Sequence, residues 1–477
     1  MDGITPTEEG SSPKIPCTVE IKMHKAIAVV DERFLSVCMS WRNRERWKFD
    51  FKREARLIAL TKALSPAYMR IGGNPSNFLV FRSTSGEERT QPYGELTEQI
   101  EEEDLDRINE IAENAVWRVL FALSSLRRQI NGSWDPSNTY EIIKYVEDRG
   151  YKFGWELGNE YNLLENFDAS ISPEQLVEDY RTLKQYLSSP ATLDNFLVGP
   201  DVTQPRGIAM EYLERFLEKG HSFINAVTWH HYYVRSIDSS PAQFYVPEVL
   251  DTLLRDMETV DGIVAKIAAD LPIWLGETSS ASGGGAVELS DRFIAGFMWL
   301  DKLGLAAQRG YKVVIRQTMF SGNYALVGPD LEPNPDYWLS VLHKKLFGTK
   351  VLMVKREKQA SKMVRIYSHC TNTKYGDYKP GAVSIMAMNL HPNKEARLYL
   401  IGPLKELSVD EYLLSPEGDT TSRKMKLNDK ILEMGTDSKF PALEPRPIKP
   451  RGRIILPPLS FAFYVVPGAR AHVCMAR

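Results

Sequence analysis

Eight short apolar runs, each followed by an amphipathic stretch, occupy residues 34–347 and constrain this chain more than any other feature. The runs are 34–39, 67–71, 116–123, 153–157, 196–200, 226–230, 273–276 and 313–317. A run that is apolar along its whole length suits a strand covered on both faces, because a strand with one wet face would alternate. Between the runs, apolar residues recur at helical spacing. Ser172-Pro173-Glu174-Gln175 reads as an N-cap, an N1 proline and a capping-box glutamine. Ser290 is expected to cap a helix that puts Phe293, Phe297 and Leu300 on one face and ends at Gly310. This alternation predicts an α/β fold, a (β/α)8 TIM barrel. An open doubly wound sheet remains the alternative, since periodicity does not report closure.

After residue 348 the pattern changes to strands alone. Residues 424–427 and 459–463 alternate at period two, and Lys379-Pro380-Gly381 and Pro416-Glu417-Gly418 supply turns. A C-terminal β-sandwich follows, and the runs 18–22 and 26–30 are expected to add N-terminal strands to it. The organisation expected is therefore 1–33 as a segment contributing strands to the sandwich, 34–348 as the barrel and 349–477 as the sandwich. At 477 residues and 43% hydrophobic the chain is long enough for one large and one smaller domain.

No run of eighteen apolar residues is present, so no membrane span is expected. The polar start, residues 1–16, lacks the apolar core of a signal peptide, which fits a cytoplasmic protein or one whose signal has been removed. The cysteines, Cys17, Cys38, Cys370 and Cys474, have no metal-ligand spacing. Cys370 and Cys474 both fall on expected C-terminal strands; a disulfide and two buried thiols fit the spacing equally well.

The chemistry lies where two runs end. Phe153-Gly154-Trp155-Glu156-Leu157-Gly158-Asn159-Glu160 places Glu160 at the end of the fourth strand, and Trp274-Leu275-Gly276-Glu277 places Glu277 at the end of the seventh. In a barrel both project from the carboxyl-terminal face, where barrel enzymes keep their chemistry. Facing carboxylates at roughly 5–5.5 Å break a glycosidic bond with retention, one as acid and the other as nucleophile. Glu160 takes the acid role, which needs a raised pKa and implies a mildly acidic optimum; Glu277 takes the nucleophile role and must stay ionised. Asn159 is placed to bond a sugar 2-hydroxyl. A tyrosine of His230-His231-Tyr232-Tyr233 is placed to orient the nucleophile, and Ser282-Gly283-Gly284-Gly285 lets a substrate approach the backbone. Both reacting groups are side chains, so no metal or cofactor is expected. Arg42, Arg44, Arg46, Lys48, Arg127, Arg128, Arg206 and Arg235 fall in loops on the catalytic face and would attract a polyanion. Nucleic acid is not expected, because nothing resembles a recognition helix and the net charge is −3.

The segments Trp155–Glu160, Gly199-Pro200-Asp201-Val202, Thr228-Trp229-His230-His231-Tyr232-Tyr233, Trp274–Ser280, Phe297–Leu305, Pro335-Asp336-Tyr337-Trp338-Leu339 and His369-Cys370-Thr371-Asn372-Thr373 together resemble the heparanase branch of glycoside hydrolase family 79. The resemblance covers nearly the whole chain. It implies a retaining endo-β-glucuronidase with a barrel and a sandwich, secreted or lysosomal and monomeric, acting on a glycosaminoglycan. It places the proton donor on Glu160 and the nucleophile on Glu277. Substrate contacts fall on Asn159, Gln204, Arg206, Tyr232, Gly283, Gly284, Gln317 and Tyr324, and a disulfide on Cys370 and Cys474. Three departures stand out. The stretch 81–115 is shorter than the linker that the branch removes, so activity as one uncut chain is expected. Where the branch carries a lysine-rich segment, this chain is acidic at residues 101–106; and the cleft positions Ser40, Asn74 and Ser282 depart from the branch's residues. Val314–Thr318 and Leu331–Pro335 are similar to the hyaluronan-cleaving branch of the same family, whereas Gln204-Pro205-Arg206 and His230–Tyr233 are similar to the branch acting on heparan sulfate, toward which the cleft loops lean.

Overall fold

The computed structural model describes residues 14–40, 51–82, 98–188, 195–357, 361–374, 377–449 and 453–475. The apolar runs become eight parallel strands, Leu35–Cys38, Ala67–Ile71, Trp117–Leu123, Phe153–Leu157, Leu197–Val202, Ala226–Arg235, Ile273–Ser282 and Val313–Arg316, hydrogen-bonded into a closed barrel. Closure rests on the eighth strand pairing with the first, Val314 opposite Leu35 and Arg316 opposite Val37, so the open sheet is excluded. Cys38, Tyr68, Leu120, Val198, Trp274 and Ile315 fill the lumen, while Met69, Val119, Phe121 and Trp155 pack outward in the core shared with the surrounding helices. Burial on both faces is why these strands read as unbroken apolar runs.

The sixth and seventh strands run further than their apolar stretches. Their polar ends still pair, Thr278 with His231, Ser279 with Tyr232 and Ser282 with Arg235, and so extend a rigid floor beneath the barrel mouth.

Of the helix signals, Ser172 caps Pro173–Leu187 by accepting from the Gln175 backbone N–H at 3.1 Å. No capping box closes, because Gln175 Nε2 donates to Asp179 instead, at 2.9 Å. Ser290 is not a cap: the helix starts at Ala295. The Ser290 hydroxyl is buried and accepts from the Ala286 N–H and the Ser280 hydroxyl, both at 2.8 Å, which ties the loop after the seventh strand to that strand. Gly310 does follow that helix in a left-handed turn, φ 84°.

Outside the barrel, Leu79–Arg82 and Glu98–Glu101 pair as a small two-stranded sheet, and the other strands form one continuous sheet of eleven. The two N-terminal runs are a single strand, Lys14–Val29, with register irregularities between Lys22 and Ala28; it pairs antiparallel with Phe347–Arg356 and parallel with Glu395–Leu400. Val19, Leu352, Val364, Ile385, Leu398, Ile454 and Tyr464 gather in one apolar core, so the sheet folds over itself as a sandwich does. Cys370 and Cys474 are joined as a disulfide, and Cys17 and Cys38 are buried thiols. No helix among the described residues is long and apolar enough to cross a membrane.

Candidate active site

The end of the fourth strand and the middle of the seventh build the centre, Glu277 lying within Ile273–Ser282 and not at its end. After the fourth strand, Glu160 adopts a left-handed conformation (φ 49°, ψ 56°), which costs a non-glycine residue about 1 kcal/mol or more. Its N–H donates to the Asp201 carbonyl at 2.9 Å, and Asp201 is itself left-handed, φ 54°. Two strand ends thus hold each other in a strained turn that aims the Glu160 carboxyl into the mouth. Glu277 arises from the seventh strand. Its neighbour Gly276 is required for packing, since a Cβ there would lie 2.8 Å from Asp201 Oδ1. One carboxylate oxygen of Glu160 and one of Glu277 lie within 4.8 Å of each other, with a His230 ring nitrogen inside the same distance.

The two glutamates have different surroundings. Glu277 Oε1 accepts from the Tyr232 hydroxyl at 2.6 Å and Oε2 from Arg70 Nη1 at 2.7 Å. Burial pushes the Glu277 carboxyl up, but the nearby His230 and Arg70 charges and the Tyr232 hydrogen bond outweigh it and hold the carboxyl below its ordinary value. Arg70, fully buried in the second strand, also donates from Nε to Glu156 at 2.6 Å and from Nη2 to Asn159 Oδ1 at 2.9 Å. Glu160 Oε1 lies 3.0 Å from His230 Nδ1, and His230 Nε2 lies 3.2 Å from Asp201 Oδ1. Burial disfavours the His230 cation, yet the hydrogen bonds to Asp201 and Glu160 and the Glu277 charge raise it to about 10. Both ring nitrogens of His230 thus face carboxyl oxygens, and these acidic neighbours favour its protonated form. The Glu160, His230 and Glu277 ligand atoms are close enough to hold a cation, which would need the His230 ring neutral, whereas its acidic neighbours favour the protonated ring.

These groups open into a cleft of about 870 Å³. Asn159, Gln204, Arg206, Tyr232, Gly283, Gly284, Gln317 and Tyr324 all line it, as do Ser40, Asn74 and Ser282. Gln204 Nε2 donates to the Tyr232 carbonyl at 2.6 Å, and the Tyr324 ring stacks on that of Tyr232 with centroids 6.4 Å apart. Gly283 and Gly284 have φ of 79° and 92°, and a Cβ at Gly284 would meet nothing within 4 Å, so the backbone there stands open to the cleft. The arginines that line the cleft carry their own counter-ions: Arg206 makes a two-pronged pair with Asp256 (3.0 and 2.7 Å) and Arg235 pairs with Asp238, whereas Arg128 is not in the lining and pairs with Asp179 at 2.7 Å. Arg42, Arg44, Arg46 and Lys48 lie outside the described residues.

Arg70, Glu156, Asp201 and Asn77 were not singled out from the sequence. The signal for the first two was a lone charge inside an otherwise apolar run, Ala-Tyr-Met-Arg-Ile and Phe-Gly-Trp-Glu-Leu. A charge in such a position needs a partner across the lumen.

The profile of Glycosyl hydrolase family 79, N-terminal domain, matches residues 16–304. A heparanase of Bos taurus is 37% identical over 473 residues, 90% of this chain and 87% of its own length. A hyaluronoglucuronidase of Hirudo nipponia is 30% identical, covering 97% of this chain and 99% of its own. Among solved structures, a 4-O-α-L-rhamnosyl-β-D-glucuronidase from Fusarium oxysporum superposes with a TM-score of 0.71 at 16% identity, over 94% of this chain and all of that one, and shares the fold.

Proposed function

The chain belongs to glycosyl hydrolase family 79 and is a glycoside hydrolase, and from that premise we propose that it is a retaining endo-β-glucuronidase that cuts a glycosaminoglycan, with heparan sulfate the first candidate. The observation that carries the reading is the pair Glu160 and Glu277, within 4.8 Å of each other and differently partnered. Glu160 gives its proton to the glycosidic oxygen while the Glu277 carboxylate attacks the anomeric carbon, so the C–O bond to the leaving sugar breaks as the bond to Glu277 forms. A water then gives a proton to Glu160 and displaces Glu277, which restores both groups and the original configuration. Asn159 bonds the 2-hydroxyl, the contact that strengthens most as the ring flattens. Gln204, Gln317, Tyr324 and the open backbone at Gly283 and Gly284 hold the neighbouring hydroxyls and the carboxylate.

Hyaluronan is the second reading, favoured by one feature: the cleft's Arg206 and Arg235 are already matched with aspartates, leaving them less charge for sulfates. On either substrate the protein acts as a monomer and one uncut chain, and meets its polymer outside the cell or in lysosomes.

The test digests heparan sulfate and hyaluronan side by side and identifies the new reducing ends by mass spectrometry. Large fragments ending in glucuronic acid are expected from heparan sulfate, and Glu277→Gln should abolish them while polymer binding persists. The same ends from hyaluronan alone would move the substrate to the second reading. Free glucuronic acid as the only product would make it an exo-enzyme, and no cleavage of either polymer would sink the catalytic reading.

A further inference from the structure

We propose that Asn74 is a positioning residue for hydrolysis: its side-chain carbonyl locks the Asn159 amide in the orientation that offers an N–H to the sugar 2-hydroxyl. The inference rests on the reading of this cleft as a glucuronidase site and deepens it by assigning a role to one of its lining residues.

The chain turns sharply after the second barrel strand at Gly73, φ 95°, and enters a single 3-10 turn, Asn74–Phe78, that lies against the end of the fourth strand. Two asparagines of that turn grip Asn159. Asn77 holds its backbone, accepting from the Asn159 N–H at 2.8 Å and donating to its carbonyl at 2.9 Å. Asn74 reaches its side chain, where Asn159 Nδ2 donates to Asn74 Oδ1 at 2.7 Å.

Fixing the backbone does not settle which way an asparagine amide faces, because its oxygen and nitrogen ends have nearly the same shape. Two partners decide here. Arg70 Nη2 lies 2.9 Å from one end of the Asn159 amide, and a guanidinium only donates, so that end is the oxygen. The nitrogen end then faces Asn74, which must present an acceptor. The sense of the whole chain Arg70–Asn159–Asn74 is therefore set by its buried cation. Of the two protons on Asn159 Nδ2, Asn74 takes one and the other is presented to the cleft that both residues line. Without the Asn74 oxygen the amide keeps only its Arg70 contact and rotates about that hydrogen bond, which misaims the N–H during the step that needs it most.

The experiment compares synthetic chromogenic oligosaccharides whose cleaved glucuronic acid carries or lacks its 2-hydroxyl. Asn74→Ala should lower kcat/KM about tenfold on the first, the scale of one misplaced hydrogen bond, and less than about twofold on the second. Asn74→Leu, close to asparagine in shape but without an acceptor, should reproduce this if the alanine variant folds poorly. Asn74→Asp, which keeps an oxygen in place, should retain the wild-type ratio between the two substrates whatever its absolute rate. Equal losses on both substrates for Asn74→Ala and Asn74→Leu, while Asn159→Ala lowers only the substrate that carries the 2-hydroxyl, would reduce Asn74 to a structural residue and overturn the proposal. If Asn159→Ala itself lowers both substrates equally, the reading of Asn159 has failed and the proposal falls with it.

Discussion

Arg70 holds the nucleophile, the buried Glu156 and the Asn159 amide at once, so one side chain sets the charge of the nucleophile and the aim of a substrate contact. Breaking such a buried network leaves uncompensated charge and is strongly destabilising, so the arginine is a poor place to test the chemistry alone. Tyr232 is a better one. Its hydroxyl donates to Glu277 at 2.6 Å and is one of the forces that hold that carboxyl below its ordinary value against burial. The nucleophile attacks only when ionised. Tyr232→Phe removes a stabiliser of the ionised form, raises the Glu277 pKa and moves the acid limb of kcat/KM toward higher pH. A roughly tenfold loss is expected on the acid side, with a smaller loss near neutrality. A uniform fall across the whole pH profile would mean that Tyr232 acts on the substrate rather than on Glu277.

At the scale of elements, the sequence was most legible where burial is symmetrical. Ala67–Ile71 and Phe153–Leu157 match their apolar runs end for end, because both faces are covered and all but one charged residue in each reports it. The sixth and seventh strands were read short: past His230 and Gly276 they carry His, Tyr, Thr and Ser, which look like loop yet are paired strand facing a polar site. Glu160 and Glu277 were visible because each lies just past an apolar run and near a glycine, although Glu277 proves to sit within the longer strand Ile273–Ser282. Arg70, Glu156 and Asp201 were hidden because their meaning depends on partners far away in sequence. Ser290 was misread for a related reason, since its position suited a cap while its hydroxyl serves the Ala286 turn. The disulfide was legible only through resemblance: the Cys370–Cys474 bridge closes a separation of 104 residues and ties the terminal helix His472–Met475, where a strand was expected, to the strand Val364–Thr371. Replacing both cysteines by serine should cost about 2–5 kcal/mol, read as a lower Tm, with kcat/KM kept at low temperature because the bridge lies in the sandwich. An unchanged Tm would show that the terminal helix docks without it.

On the scale of the whole molecule, barrel and sheet are joined by the helix Ala295–Gln308, which is buried along nearly its full length. Toward the barrel, Lys302 Nζ donates to the Ser279 carbonyl at 2.8 Å and to the Thr278 hydroxyl, in the strand that carries Glu277. Toward the sheet, the helix approaches so closely that a Cβ on Gly304 would lie 2.1 Å from the Tyr367 ring. That ring cannot swing aside freely, because its hydroxyl donates to Asp301 at 2.6 Å and Asp301 is buried. Gly304→Ala sets two effects against each other. Alanine gains up to about 1 kcal/mol of helix propensity, while overpacking a site with no slack costs about 1–3 kcal/mol and endangers the Tyr367–Asp301 bond. The clash should win, with a net loss of stability visible as a lower denaturant midpoint. Because the same helix grips both the catalytic strand and the sheet, the wild type should unfold in a single transition seen alike by tryptophan fluorescence, which reports mainly on the barrel, and by far-ultraviolet dichroism. Gly304→Ala should move both signals together. If dichroism fell in two steps and fluorescence followed only one of them, the helix would belong to the barrel alone and the two parts would be independent units.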